Sequence, residues 1–286
     1  MSLPLTVIIL TQDEEENIRD CLESVKGRSD EILVVDSGSK DATLAIVKEY
    51  TDRIYFHPFI NYADQRNWAQ KNLPLRNEWV FHLDADERMT EDLFLELKRL
   101  FNGSLDKIGG FLIIRKTIFM GRWIKYGGHY PVYHARIFKH LQGECEARKY
   151  DQHFLVSGKT LILNSCIINI INPDLSLMKN KLRCYALLEA EELTLKQGGR
   201  QVFAASFFAS PISRRRWLRV NLYERSPLFI RALAYFIYRY FIRFGFLDGR
   251  EGLIFHFWQG LWYRLLVDYQ VFKITMKRYC NIQLLN

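Results

Sequence analysis

Three apolar runs, each closing on a polar or acidic cluster, constrain this chain more than any other feature. Residues 5–11 (LTVIILT) run into Gln12-Asp13-Glu14-Glu15. Residues 31–36 (EILVVD) run into Ser37-Gly38-Ser39-Lys40-Asp41-Ala42-Thr43, and residues 78–86 (EWVFHLDAD) end in acids themselves. Continuous β-branched runs predict strands buried on both faces, as in a parallel sheet. Helix-like stretches separate them at 13–26, 41–50 and 62–73, with a short strand at 53–57. A further helix is predicted over 91–101, capped by Thr90 with Glu91 and Asp92 at its positive end. Strands alternating with helices imply βαβ units. In such sheets ligands bind beyond the carboxyl ends of the strands, where all three polar clusters fall.

The pattern then changes. Residues 109–115, 135–139 and 160–170 read as strands between glycine-rich loops, so the sheet is expected to become mixed. From 176 the chain turns helical and becomes rich in arginine and aromatic residues. Pro211 and Pro227 punctuate it, and GFLDGREG (245–252) breaks it. Of 286 residues, 49% are apolar and 25% charged, which excludes a disordered, collagen-like or coiled-coil chain. The net charge of +8 is unevenly spread. Residues 200–286 carry 14 basic and 4 acidic side chains, whereas residues 1–199 carry 26 and 28. A near-neutral body with a basic tail argues against a nucleic-acid partner. Five scattered cysteines without CxxC spacing suit reduced thiols and a cytoplasmic setting. MSLPLTVIILTQDEEEN reads as a buried first strand rather than a signal peptide. The apolar stretches 228–246 and 253–272 carry too many charges for a membrane span.

Asp84 and Asp86 stand two residues apart at a strand end. Carboxylates there suit a hard divalent cation that keeps a diphosphate in its other positions. Asp36 suits a base or ribose hydrogen bond. With these residues in hand, TVIILTQDEEENIRDCLESV, EILVVDSGSKDAT, QRNWA and HLDADE, in this order and spacing, resemble family 2 glycosyltransferases of the GT-A fold. The resemblance is to the bacterial lipopolysaccharide-core and polysaccharide branch. It covers residues 4–170, and the arginine-rich tail also looks like that branch.

The resemblance implies a GT-A catalytic domain over 1–175 and a C-terminal helical region over 176–286. It implies that Thr11, Asp36 and Asp84 hold the uridine part of a nucleotide sugar, with Glu14 near that loop. Gln65 and Arg66 would sit by the nucleotide or diphosphate, and Asp86 would hold Mg²⁺ or Mn²⁺. The implied reaction is inverting transfer to a lipid-linked glycan. Transfer to polyprenyl phosphate is the competing reaction, and a non-catalytic membrane adaptor the competing class. Inversion needs a base for the acceptor hydroxyl. The usual dipeptide for it is missing, which leaves Asp151 in EARKYDQHFLVSG, with Glu144 and Glu146 behind it.

Two further segments stand out. GRWIKYGGHYPVYHARIFK (121–139), glycine- and aromatic-rich, reads either as a flexible sugar-binding loop, with Trp123 or Tyr130 stacking on a sugar, or as simple loop packing. His129, His134 and His153 lack a zinc pattern. In the tail, Arg231, Arg239 and Arg243 fall on one side of a helix, and Arg214, Arg215, Arg216 and Arg219 cluster before it. Residues 200–286 are therefore expected to meet an anionic membrane at the inner face of the cytoplasmic membrane. Packing on the body or in a homo-oligomer is the alternative.

Overall fold

The computed structural model describes residues 2–148, 152–172, 174–195 and 211–283. The chain condenses into two units. The first comprises residues 1–116, 132–147 and 152–170. The second comprises residues 117–131, 148–151 and 171–286.

In chain order the strands are β1 (Leu3–Thr11), β2 (Ser29–Asp36), β3 (Ile54–Phe56), β4 (Trp79–Asp84), β5 (Glu87–Met89), β6 (Ile108–Phe119), β7 (Arg122–Ile124), β8 (Tyr133–Lys139), β9 (Gly143–Cys145), β10 (Phe154–Val156) and β11 (Lys159–Ile171). The helices are α1 (Ile18–Val25), α2 (Thr43–Val47), α3 (Tyr62–Asn72), α4 (Glu91–Phe101), α5 (Leu175–Thr194), α6 (Pro211–Leu218), α7 (Ile230–Ile237), α8 (Gly249–Phe255) and α9 (Tyr263–Gln283).

The main sheet has the order β3-β2-β1-β4-β8-β6-β11-β5. Its first four strands are parallel, and β8 then pairs antiparallel with both β4 and β6. This is the mixed α/β architecture expected of the GT-A fold. The parallel strands are apolar along their length because both faces are covered. Val7, Ile8, Ile9, Leu33, Val34 and Phe81 are fully buried, and Ile18, Cys21, Leu22 and Val25 of α1 pack on the same core. Each such side chain contributes roughly 1.5–3 kcal/mol when withdrawn from water. Thr90 caps α4 as expected, its Oγ1 accepting from the Leu93 amide at 3.2 Å. Register then aligns the polar strand ends. Thr11 lies beside Asp36, and Leu10 beside Asp84.

The second unit has its own core, in which Met178, Leu182 and Ala186 of α5 meet Tyr263 and Val267 of α9 and Phe255 of α8. Its arginines correct the expected layout of the tail. Arg231 is buried and donates from Nε to Asp268 Oδ1 at 2.8 Å, while the Phe229 amide takes the other carboxylate oxygen at 2.7 Å. Arg239 is also buried and donates to the Gly127 carbonyl. Arg216 is buried as well, and Arg219 pairs with Glu189 at 2.6 Å. Of the helical trio only Arg243 faces solvent. A long guanidinium stem can be buried when its head finds an acceptor, and here the heads turned inward. What the helix exposes instead is apolar: Ile230, Leu233, Ile237, Phe241 and Ile242 are each more than 40% exposed. Among the described residues, no helix is long and apolar enough to cross a membrane.

Candidate active site

The site is assembled in the first unit from the ends of β1, β2 and β4 and the start of α3. The β1 and β2 loops are stitched to each other. Asp13, held at a positive φ of 52°, accepts from the Lys40 amide at 2.7 Å, and the Glu14 amide donates to Thr43 Oγ1 at 2.8 Å. Glu14 also accepts from Asn17 Nδ2 at 2.8 Å. Asp36 closes its own turn, accepting from the amides of Gly38 (2.7 Å) and Ser39 (3.0 Å). Gln65 is buried and donates from Nε2 to Ser37 Oγ at 2.6 Å, which ties α3 to that turn. Thr11 Oγ1 is buried and has no hydrogen-bond partner among the described residues.

Asp84 sits between two guanidiniums. Arg66 Nη2 donates to it at 2.9 Å and Arg136 Nη2 at 2.7 Å. Burial by itself would raise the Asp84 carboxyl, but Arg136 and Arg66 overcome that and hold it well below the usual carboxylate range. Arg136 also donates to Glu87 Oε1 at 2.8 Å. His82, buried beneath the same two arginines, is held neutral, first by burial and then by their charge.

Asp86 is different. Its Oδ2 accepts from Asn169 Nδ2 at 3.0 Å, and its carbonyl accepts from the Ile170 amide. Burial, then the charges of Glu87, Asp84 and Glu14, push its carboxyl up to about 7. Among the described residues no cluster of three or more His, Cys, Asp or Glu is arranged to hold a metal. The donor set nevertheless fits a hexacoordinate cation that draws most of its oxygens from a diphosphate and water, because such ions need only one or two protein carboxylates. Among the described residues Asp86 receives no arginine hydrogen bond or ion pair, and the charge of Arg115 does not offset that of its acidic neighbours, so a cation there would relieve like-charge crowding.

Thr11, Asp36, Asp84 and Asp86 thus lie at one edge of the sheet, Gln65 and Arg66 reach it from α3, and Glu14 stands in the adjoining loop. Asp151 lies outside the described residues. Glu144 is exposed and bound to Lys71 at 2.6 Å, whereas Glu146 is buried and accepts from the His153 amide at 3.3 Å. In the second unit Trp123 and Tyr130 pack edge to face on each other, with centroids 5.0 Å apart.

Sequence reasoning missed Arg136, Glu87 and Asn169. An arginine inside the apolar strand YHARIFK was a signal, since a buried guanidinium requires acceptors and a carboxylate is the strongest of them. Which carboxylate it meets depends on β8 pairing with β4, which no local pattern specifies.

Residues 6–142 match the family model Glycosyl transferase family 2. The chain therefore carries a family 2 glycosyltransferase domain. Its relatives include the lipopolysaccharide core biosynthesis glycosyltransferase LpsC of Rhizobium meliloti, 36% identical over 124 residues, which are 42% of this chain and 44% of that one. The chain thus spans less than half of that relative. An uncharacterised glycosyltransferase of Rickettsia typhi is 25% identical over 257 residues, 87% of this chain and 80% of that one. The crystal structure of S. aureus TarS 1–349 in complex with UDP aligns over 97% of this chain and 92% of that one, at 14% identity and a TM-score of 0.43.

Proposed function

We propose that this chain is a metal-dependent, inverting glycosyltransferase. It moves a sugar from a nucleotide sugar, in the first instance a UDP-sugar, to a lipid-linked glycan of lipopolysaccharide core or a related polysaccharide. The observation that carries this reading is the convergence of Asp36, Gln65, Asp84 and Asp86 on one carboxyl edge of the sheet within a family 2 domain. The name of the Rhizobium relative supports the choice of acceptor class.

In this reading Thr11, Asp36 and Asp84 receive the uridine, and Arg66 and Arg136 keep Asp84 ionised and fixed. Gln65 anchors the Ser37 turn that shapes the pocket. Asp86 would hold Mg²⁺ or Mn²⁺, whose chemistry is to offset diphosphate charge and ease its departure. Asp151 takes the proton of the acceptor hydroxyl as that oxygen bonds to the anomeric carbon and the sugar–diphosphate bond breaks. Glu146 is the alternative base.

The second unit is read as the contact with the cytoplasmic face of an anionic membrane, through its exposed apolar surface rather than through the buried arginines. Phe229 and Phe244, bulky residues at positive φ (65° and 57°), bracket that surface. Such strained positions persist where surrounding structure holds them in place, often at functional sites.

A panel of UDP- and GDP-sugars, tested by thermal shift with and without Mn²⁺, checks the donor. One UDP-sugar should raise the midpoint by linkage, with Mn²⁺ required and Asp86→Asn abolishing the response. No response to any donor, or one that survives Asp86→Asn, would sink the assignment. Asp151→Asn should keep donor binding and lose turnover. Transfer onto bare polyprenyl phosphate would replace the glycan acceptor, and donor hydrolysis by the purified chain excludes a non-catalytic adaptor.

A further inference from the structure

Three guanidiniums of the second unit gather on one short loop. Arg239 donates from Nε to the Gly127 carbonyl at 2.7 Å, and its Nη2 lies 3.5 Å from His129 Nδ1. Arg215 donates from Nη2 to the carbonyls of Gly128 and Pro131, each at 3.1 Å. Arg243 lies against Gly128, where an added Cβ would stand 3.7 Å from its Nε, and the Gly127 amide donates to the Arg243 carbonyl at 2.9 Å. The loop takes this shape because Gly127 and Gly128 hold φ values of +66° and +69°, which side-chain-bearing residues rarely adopt.

Among the described residues, these arginines are bound by neutral groups. Their partners are carbonyl oxygens, an imidazole nitrogen and the Tyr238 hydroxyl. Asp248 feels the charge of Arg239 but spends its carboxylate on the amides of Lys125 (3.1 Å) and Tyr126 (2.9 Å). Although the Arg215 side chain is exposed overall, protein crowding around its head and the repulsion of Arg239 and Arg243 lower its guanidinium, against the pull of the Tyr235 and Tyr238 phenols. The phenol of Tyr235, which burial would raise, is lowered by Arg239, Arg264, Arg215 and Arg219. Like charges brought together without counter-charge are costly unless an anion joins them. Arg215 and Arg243 are exposed, and Tyr238, Phe241, Ile242 and Phe244 around Arg243 are exposed as well.

We propose that Arg215 and Arg243, backed by Arg239, form a binding site for a phosphate-bearing ligand, either lipid-borne or free. Guanidiniums take phosphate oxygens bidentately, and the exposed apolar residues beside Arg243 suit a phosphate presented at a lipid surface. The site stands on its own geometry. Only its use, to hold a phosphate-bearing acceptor, rests on the transferase reading.

The test needs no nucleotide sugar, so its outcome is separate from that of the donor panel. Pyrophosphate is titrated calorimetrically into the full chain and into the Arg215→Gln/Arg243→Gln double variant. Flotation with phosphatidylcholine vesicles, with and without phosphatidic acid, forms the second arm. The double variant should lose about tenfold or more in affinity for at least one probe, since charge-assisted hydrogen bonds are the strong ones. Loss confined to vesicles assigns a lipid-borne phosphate, and loss for pyrophosphate a free one. Should the double variant misfold, phenylglyoxal labelling of the unaltered chain gives the same answer: pyrophosphate or the phosphatidic acid vesicles should protect Arg215 and Arg243. Unchanged affinity for both probes, or labelling that neither slows, overturns the site.

Discussion

At the scale of single residues, the site contrasts two aspartates two positions apart. Asp84 is neutralised by Arg66 and Arg136, whereas Asp86 is crowded by Glu87, Asp84 and Glu14. Removing Arg136 leaves Glu87 buried without its partner and half-strips Asp84. Arg136→Ala should therefore cost about 3 kcal/mol in urea unfolding, in the range for a broken buried pair. Asp86→Asn should act in the opposite direction, stabilising the unliganded chain by about 0.5–2 kcal/mol, because sites built for ligands store unfavourable charge. It should also abolish the Mn²⁺-dependent response to donor. A variant that loses both stability and donor response would show that Asp86 is a structural residue.

At the scale of elements, α7 is inside out. Periodicity identified a helix with arginines on one side and apolar residues elsewhere, but the pattern does not say which side meets the core. Burial of Arg231 against Asp268 decided it. Arg231→Leu should then destabilise by about 3 kcal/mol, leaving Asp268 as an unpaired buried charge. Leu233→Glu with Ile237→Lys should change stability by only about 0.5 kcal/mol, as surface changes do, yet abolish flotation with anionic vesicles. If that pair of changes unfolds the chain instead, the exposed face is a core face and the membrane reading fails. In contrast, α4 was legible from local chemistry, since Thr90, Glu91 and Asp92 make a helix start wherever they stand. Thr90→Ala should cost about 1 kcal/mol, measured by denaturant midpoint.

At the scale of the whole molecule, acid should weaken the fold through a histidine far from the catalytic residues in sequence. His256 is fully buried, and an added Cβ at Gly127 or Gly245 would collide with its ring. Among the described residues its ring nitrogens find no hydrogen-bond partner, and Asp248, 3.7 Å from Nε2, is engaged elsewhere. Burial, then the charge of Arg239, lowers its pKa to about 3. The unfolded chain binds this proton below about pH 6.5 while the folded one does not, so stability is intact above that pH and falls as the pH drops toward 3. By pH 5 the loss should reach about 2 kcal/mol. Thermal midpoints of the native chain and of His256→Gln at pH 7.5 and 5 check this; equal losses in both would clear His256. The sequence by itself determined the alternation of strands and helices, the polar strand ends and the uneven charge, because periodicity, capping and composition are local properties of the chain. Only the tertiary structure decided that Arg136 meets Asp84, that Asn169 reaches Asp86, and that Arg216, Arg231 and Arg239 point inward while apolar residues of α7 point out. Those outcomes depend on strand order and on the pairing of buried charges, which join residues far apart in the chain.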